Sequence, residues 1–487
     1  MRLKIGNIGK KIIEVLGILV LVGILLSYVS NTIEFTNVDV ENLLIVAIVI
    51  FFMLSAYGIS KVIQNEKIRM LIWVVLVVAI PRLVTLYFCG ELYPISDAKT
   101  CLDITSLLIE NGVTTIQNVE LSEYIAMFPV IVFYPFVLSK FIGIIGISIA
   151  NMQLVNLLFN IITGLLLYGI IKERTEDKQK FATIAVLLWA CNPSQFLYTP
   201  MLYTENLFVL FVVALLYVYS KYEKKETLSK KQVIGYGMAI GLLLFGAYQS
   251  KVAGLIIGIA IIIYEIICLL MQKKSWKNSL QVFAIAILVL VVGNKIYQTC
   301  VIQKLLLPEH QNQGTFSAYT FYIGANPDYA GRWNQQDASQ ALSVVHEKGL
   351  VETNREYWEK IWNERYDIDL WEYMQLQLKK FTLYHNPSHS VIENLKIYEE
   401  KPELQSFALA TYLFETVMII ILCIKLIKKQ QFTSRSGLLL LILIGNTMFN
   451  MLVESSGRDS YINAIILLLL LLEQWNEDHL KLPKAEK

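Results

Sequence analysis

Met70-Leu-Ile-Trp-Val-Val-Leu-Val-Val-Ala-Ile-Pro-Arg-Leu-Val-Thr-Leu-Tyr-Phe88 is a mostly apolar run interrupted by Pro81-Arg82. At about 1.5 Å per helical residue it is long enough to cross the roughly 30 Å hydrocarbon core of a bilayer. A few residues further on comes Tyr93-Pro94-Ile95-Ser96-Asp97. The chain therefore sets a carboxylate at the mouth of a membrane helix. Comparable runs recur, and about twelve spans are expected at 12–29, 42–60, 69–88, 150–171, 181–197, 203–220, 233–248, 252–271, 279–297, 407–427, 436–453 and 460–474. Composition agrees. Of 487 residues, 55% are hydrophobic and only 17% charged, and mean hydropathy is +0.52. A soluble globular protein carries about 25% charged residues. The expected class is an all-α polytopic membrane protein. A net charge of +2 offers nothing to nucleic acid.

The connecting segments alternate in character. Lys10-Lys11, Ser60 to Arg69, Lys172 to Lys180, Lys221 to Lys231, Met271 to Lys277 and Lys425 to Arg435 are basic or lysine-rich. Positive residues gather on the cytoplasmic side, so the opposite loops are assigned outside and both termini inside. Ala126 to Gly146 is also apolar, but counting it as a span would invert every later loop. It is expected to be a juxtamembrane or re-entrant helix, with Pro129 and Pro135 breaking it. Met1-Arg-Leu-Lys precedes an apolar stretch without a small-residue cleavage site, which reads as an uncleaved helix. The expected divisions are 1–68, a helical hairpin; 69–297, a transmembrane core with an outer loop at 89–149; 298–406, an extracytoplasmic domain rich in Tyr and Trp; and 407–487, C-terminal spans and a cytoplasmic tail. The six cysteines show no metal-binding spacing. Cys191, Cys268 and Cys423 read as packing residues, and a disulfide among Cys89, Cys101 and Cys300 stays open.

Four charged sites fall on the outer side. Asp97 precedes a helical pattern in which Ala98, Cys101, Thr105 and Leu108 share one face and Asp103, Ser106 and Glu110 another, with Gly112 as the stop. Asp97 reads either as the N-cap of this helix or as a general base. Glu205 follows the turn Asn192-Pro193-Ser194-Gln195 and opens an apolar run. It reads as an acidic helix N-terminus or as a functional carboxylate. Lys251 is a lone outer cation, either snorkelling or binding phosphate. Glu454-Ser-Ser-Gly-Arg458-Asp459-Ser-Tyr461 is a solvated turn or a second phosphate contact, since guanidinium binds phosphate bidentately. Two carboxylates and two cations on one face suit transfer from a phosphate-activated lipid donor.

These motifs, in this order, resemble the GT-C membrane glycosyltransferases, the polyprenyl-phosphate-sugar-dependent class that includes the protein mannosyltransferase-like family 39 enzymes. The resemblance runs from about residue 69 to 474. Pro94-Ile-Ser-Asp97 looks like the family's first outer loop with its catalytic aspartate, and Asn192-Pro193 to Thr204-Glu205 like its second acidic motif. Lys251 stands where the family often has an arginine. Ile323-Gly324-Ala-Asn326 to Gly331-Arg332-Trp333-Asn334 looks like a turn of bacterial members. The last loop departs from E-x-x-x-R-Y, because Asp459 follows Arg458 and the tyrosine is displaced to Tyr461.

The resemblance implies a multi-pass enzyme of the cell membrane with an extracytoplasmic active site. It would move a sugar from a polyisoprenyl-phosphate donor to a glycan, lipid or protein acceptor. Asp97 would be the base, and Glu205 would orient the acceptor or assist a divalent metal. Lys251 and Arg458 would bind the donor phosphate. Asn326, Arg332, Trp333 and His310 would make acceptor or loop contacts. No cofactor is fixed by the sequence, and the metal requirement is left open. Two rival classes are an outer-face polysaccharide polymerase or ligase, relying on His310, His346, His385 and His389, and a lipid flippase or transporter, which often shows repeats.

Overall fold

The computed structural model describes residues 2–32, 40–63, 65–89, 94–174, 178–225, 227–271, 276–386, 406–429 and 436–480; Tyr93 and His389 lie outside them. Among the described residues there are helices and no strands. The helices are α1 (Arg2–Thr32), α2 (Val40–Val62), α3 (Glu66–Cys89), α4 (Ser96–Asn111), α5 (Val119–Met127), α6 (Phe133–Ile145) and α7 (Ile149–Arg174). They continue as α8 (Lys178–Ala190), α9 (Pro193–Phe196), α10 (Glu205–Glu223), α11 (Lys230–Ser250), α12 (Ala253–Leu270) and α13 (Trp276–Leu305). After them come α14 (Ser317–Gly324), α15 (Gln335–Lys348), α16 (Leu350–Lys360), α17 (Leu370–Tyr384), α18 (Ser406–Lys429), α19 (Ser436–Leu452) and α20 (Tyr461–Leu480).

The chain is an all-α polytopic membrane protein. Seven helices among the described residues are long and apolar enough to cross a bilayer: α1, α3, α7, α10, α11, α12 and α13. Val46–Val62, Gln179–Ala190 and Ser436–Leu452 are shorter apolar helices. Every expected span contains a helix, though some fall short of a full crossing. Large apolar side chains such as Leu19, Leu26, Phe51 and Leu288 point outward, as a lipid-facing surface requires. The inward faces form one continuous core through α3, α7, α8, α10 and α20.

Two stretches set the position of the site. The first is the apolar segment around 126–146. It does not form a straight span: Val119–Met127 and Pro129–Ile145 meet at 110°. Pro129 opens a short 3-10 turn after the bend, and Pro135 lies in the first turn of α6, where a missing N–H costs nothing.

The second is a correction. The span expected at 181–197 ends at Ala190. Asn192 then starts a new short helix by accepting the Ser194 N–H at 3.1 Å, with Pro193 at the first helical position. Residues 191–203 are all buried, and irregular backbone at such a place needs internal hydrogen-bond partners. Helix α7 supplies them from one face. Asn156 Nδ2 donates to the carbonyls of Thr199 (3.1 Å) and Met201 (2.7 Å), and Gln153 Nε2 donates to Pro200 O at 3.2 Å. Asn160 holds Asn206 at 2.9 Å, and Asn206 in turn reaches Tyr198 O. Arg82, fully buried in α3, lies over Trp189 and donates to Ala190 O where α8 stops. The cation sits at the negative end of the helix dipole.

The region after α13 packs onto the last loop of the bundle. Glu454 N–H donates to Thr320 O at 2.7 Å and Ser455 N–H to Gly331 O at 2.8 Å. Lys380 of α17 is buried and donates to Gly324 O, Met451 O and Val453 O, at 2.7, 2.8 and 2.7 Å. No disulfide joins cysteines among the described residues; Cys89 and Cys101 are buried while Cys300 is exposed.

Gly324 makes this seating possible. A Cβ there would lie 2.3 Å from the carbonyl carbon of Val453, a backbone atom that cannot turn aside. Gly324→Ala is expected to destabilise the protein by about 1–3 kcal/mol through overpacking. Thermal unfolding in detergent checks this, and an unchanged midpoint would contradict the close approach.

Candidate active site

The start of α4, the start of α10 and the α11–α12 turn each deliver one charged side chain to the same place, and the loop before α20 delivers two. Helix α4 starts at Ser96, whose φ of +52° is unusual for a side-chain-bearing residue. Such a conformation costs about 1–3 kcal/mol and persists only where the surroundings impose it. It has a consequence for Asp97. The N-cap is Ile95, which makes no side-chain cap hydrogen bond. Asp97 stands in the first turn, and its Oδ1 accepts from Tyr124 Oη at 2.8 Å. The N-cap reading of Asp97 is thereby corrected: its carboxylate points across to α5 rather than along its own helix. The rest of α4 follows the sequence pattern, with Ala98, Cys101, Thr105 and Leu108 buried and Gly112 ending the helix at φ +67°.

Glu205 is the first residue of α10 and only 2% exposed. Its Oε1 lies 3.0 Å from Lys251 Nζ and 3.3 Å from Arg458 Nε. Lys251 also reaches Asp459 Oδ1 at 2.6 Å, and Arg458 Nη1 lies 3.5 Å from Asp97 Oδ2. The result is an alternating chain, Asp459–Lys251–Glu205–Arg458–Asp97, closed at one end by Tyr124. The Arg458 guanidinium also stacks over the Tyr203 ring at 4.8 Å from its centroid. Three carboxylates share two cations, so the cluster is formally acidic. Burial pulls the pKa of Arg458 down, but Glu205, Asp97 and Asp459 outweigh it and hold the net value well above the ordinary arginine range. Burial likewise opposes the charge of Lys251, while Asp459 and Glu205 raise it beyond the usual lysine value. Both cations stay charged at any working pH.

Two features give the cluster a free end. Glu205 Oε2 is buried and has no hydrogen-bond partner among the described residues. Asp97 is the most exposed of the four charged groups foreseen in the sequence, with about a third of its side chain accessible. A hydroxyl could thus approach Asp97 and a donor could satisfy Glu205. A divalent metal fits poorly. Among the described residues no group of three or more His, Cys, Asp or Glu side chains is arranged to hold one. The one Glu205 oxygen that faces the cluster's other groups is already taken by two cations.

The remaining foreseen residues lie elsewhere in the region. Asn326 is buried and committed to structure: Nδ2 donates to Asp337 Oδ2 at 2.6 Å and Oδ1 accepts from Asp328 N–H. Asp337 is also held by Asn334 and Arg365. Arg332 is half-buried and Trp333 is exposed on the turn that holds Ser455. His310 Nδ1 pairs with Ser122 Oγ at 2.9 Å, two residues from Tyr124. His346 lies by Glu123, and His385 is buried against Thr447 with its pKa pushed down to about 3 by burial, so it stays neutral. These three histidines form no joint cluster.

Several participants were not foreseen. Tyr124 lies outside every pattern that the sequence offered. Asp459 read only as a departure from a motif, yet it is the closest partner of Lys251. Glu415, in α18, accepts from Tyr28, Asn192 and Ser194 and so anchors the start of the buried loop. Its lone charge in an apolar run was the available clue, as was that of Arg82.

Residues 129–297 match the family model described as Dolichyl-phosphate-mannose-protein mannosyltransferase. The match covers Glu205 and Lys251; Asp97 and Arg458 lie outside it. No curated protein matches the chain.

Glu454, beside the cluster, supplies a pH test. Burial first, then the negative charge of Asp459, raises its carboxyl pKa to about 7 from a usual 4.5. The folded state then binds a proton that the unfolded chain has released between those values, so stability contributed by this group is present below pH 4.5 and lost as pH rises towards 7. Glu454→Gln is expected to flatten that slope in unfolding midpoints measured across pH 4.5–7; an identical slope in the variant would show that Glu454 does not titrate there.

Proposed function

We propose that this chain, whose residues 129–297 carry a GT-C glycosyltransferase family domain, transfers a sugar from a polyisoprenyl-phosphate donor to an acceptor hydroxyl at the face of the membrane where the ion-pair cluster lies. The short loops on that face are poor in lysine, which supports an extracytoplasmic site in the cell membrane. The observation that carries the reading is the meeting of Asp97 with Arg458 and of Glu205 with both cations.

The chemistry follows from the geometry. Asp97, accessible and held by Tyr124, takes the proton of the acceptor hydroxyl. The acceptor oxygen attacks the anomeric carbon on the side opposite the phosphate, giving inversion. The new carbon–oxygen bond forms as the bond from the anomeric carbon to the phosphate oxygen breaks, and the electron pair leaves with the polyprenyl phosphate. The phosphate gains one negative charge in this step. Arg458 and Lys251 are the cations placed to stabilise it, and a guanidinium does so bidentately. Both are engaged by carboxylates at rest. Donor phosphate must therefore displace a carboxylate, and its exchange for Asp97 on Arg458 would release the base as the donor arrives. Glu205, whose Oε2 has no partner among the described residues, orients the acceptor. No step is routed through a metal. Trp333, exposed on the turn above, and the region 300–386 form the wall on the acceptor side.

Transfer from radiolabelled polyprenyl-phosphate sugars by the purified protein tests the reading. Asp97→Asn keeps shape and loses the base, and the rate should fall by about 10²–10⁴-fold. Full activity in that variant sinks the assignment. Arg458→Lys keeps charge but loses the fork, and is expected to raise the donor KM while the acceptor KM stays near the wild-type value. An effect confined to the acceptor would remove Arg458 from the donor site.

A further inference from the structure

Helix α17 has two unlike faces. Leu376, Lys380 and Tyr384 are buried against the bundle. Leu370, Trp371, Met374 and Leu378 are 75%, 66%, 54% and 68% exposed. Positions 370, 374, 378 and 381 recur at helical spacing and form one stripe, with Trp371 at its edge. Four large apolar side chains exposed together on a helix outside the membrane-spanning set need a cover.

The far end of the stripe shows what that cover is. Phe381 packs on α1 at Gly23, where a Cβ would lie 2.7 Å from its ring. One residue on, Thr382 O accepts from Ser27 Oγ at 3.3 Å. Gly23 and Ser27 both lie inside the membrane-spanning segment Leu3–Tyr28. The neighbouring residues Leu19, Val22 and Leu26 of α1 are exposed apolar side chains of its lipid-facing surface. The stripe of α17 therefore begins at membrane depth and runs on from a surface that lipid already covers.

We propose that α17 is an interfacial helix, lying along the membrane with Leu370, Trp371, Met374 and Leu378 immersed in the leaflet on the site's side. Lys379 and Glu372, both exposed on the opposite side, stay in water. Trp371 suits the headgroup boundary, where its ring is apolar and its N–H finds polar partners. The immersion has a route to the active site. Lys380 on the same helix holds the carbonyls of Met451 and Val453, next to the loop that carries Arg458. The bilayer surface thus fixes the height of that loop. The inference stands on the membrane fold and does not depend on the reaction proposed above.

Spin labels test it in the full chain, reconstituted in phosphatidylcholine vesicles. Cys300 is the only cysteine exposed among the described residues, so Cys300→Ser supplies the background. A nitroxide on Met374→Cys should collide with oxygen more readily than with a water-soluble nickel chelate, and one on Lys379→Cys should show the reverse. If both positions favour the nickel chelate, the helix stands in water and the proposal fails. If position 374 is shielded from both reagents, protein covers the stripe instead, either another part of this chain or a second copy, and the proposal fails equally. Quenching by lipids brominated on the acyl chains gives a label-free check. Wild type should lose more fluorescence than Trp371→Phe; equal fractional quenching would contradict immersion.

Discussion

A carboxylate buried to 2% exposure at the start of a membrane helix organises this protein. Taking a charge out of water costs several kcal/mol unless a partner is built around it. Glu205 has two partners on one oxygen, Lys251 and Arg458. Each comes from a different turn, and each in turn recruits another carboxylate, Asp459 and Asp97. The need to compensate one buried charge therefore draws together loops from the beginning, middle and end of the chain. The helix dipole at the start of α10 favours the negative charge and adds to the same effect.

Glu205 could not sit there without the buried loop that precedes it. That loop is tolerated because the amides of Gln153, Asn156 and Asn160, on one face of α7, meet its carbonyls and Asn206. Glu415 and Arg82 fasten its beginning from the other sides. On the opposite flank, Lys380 and the backbone of Thr320 and Gly331 fix the segment 451–455. Arg458 follows within a few residues. Both halves of the cluster are thus placed by hydrogen bonds to backbone, which are stiffer constraints than the ion pairs they bring together.

Much of this was legible in the sequence. Asp97, Glu205, Lys251 and Arg458 stood out because each interrupts or borders an apolar run on the side whose short loops are poor in lysine, where a charge has few ordinary reasons to be. Pro129 correctly signalled a broken segment, whereas Pro135 sits within α6 and does not interrupt it. What escaped has a common physical cause. Local patterns report a residue's own helix, whereas Asp97 answers to Tyr124 on another one. Asp459 read as a fault in a motif because its partner, Lys251, is distant in sequence. The stop of α8 at Ala190 was hidden because hydropathy averages over Asn192 and Ser194, whose capping geometry decides the matter. Asn326 was expected near the acceptor, but a buried amide beside Asp337 is claimed first by the turn it closes.

The family match covers the middle of the chain, while two of the four charges lie beyond its ends. The central claim is that the linked charges act as one unit, and Asp97 and Arg458, the two beyond the match, meet directly within it. A double-mutant cycle on sugar transfer measures this directly, using Asp97→Asn, Arg458→Gln and the pair. Groups that act together give losses that do not add, so the double variant should be scarcely slower than the worse single one. Losses that multiply in full would show that Asp97 and Arg458 work independently, and the linked cluster would no longer explain the site.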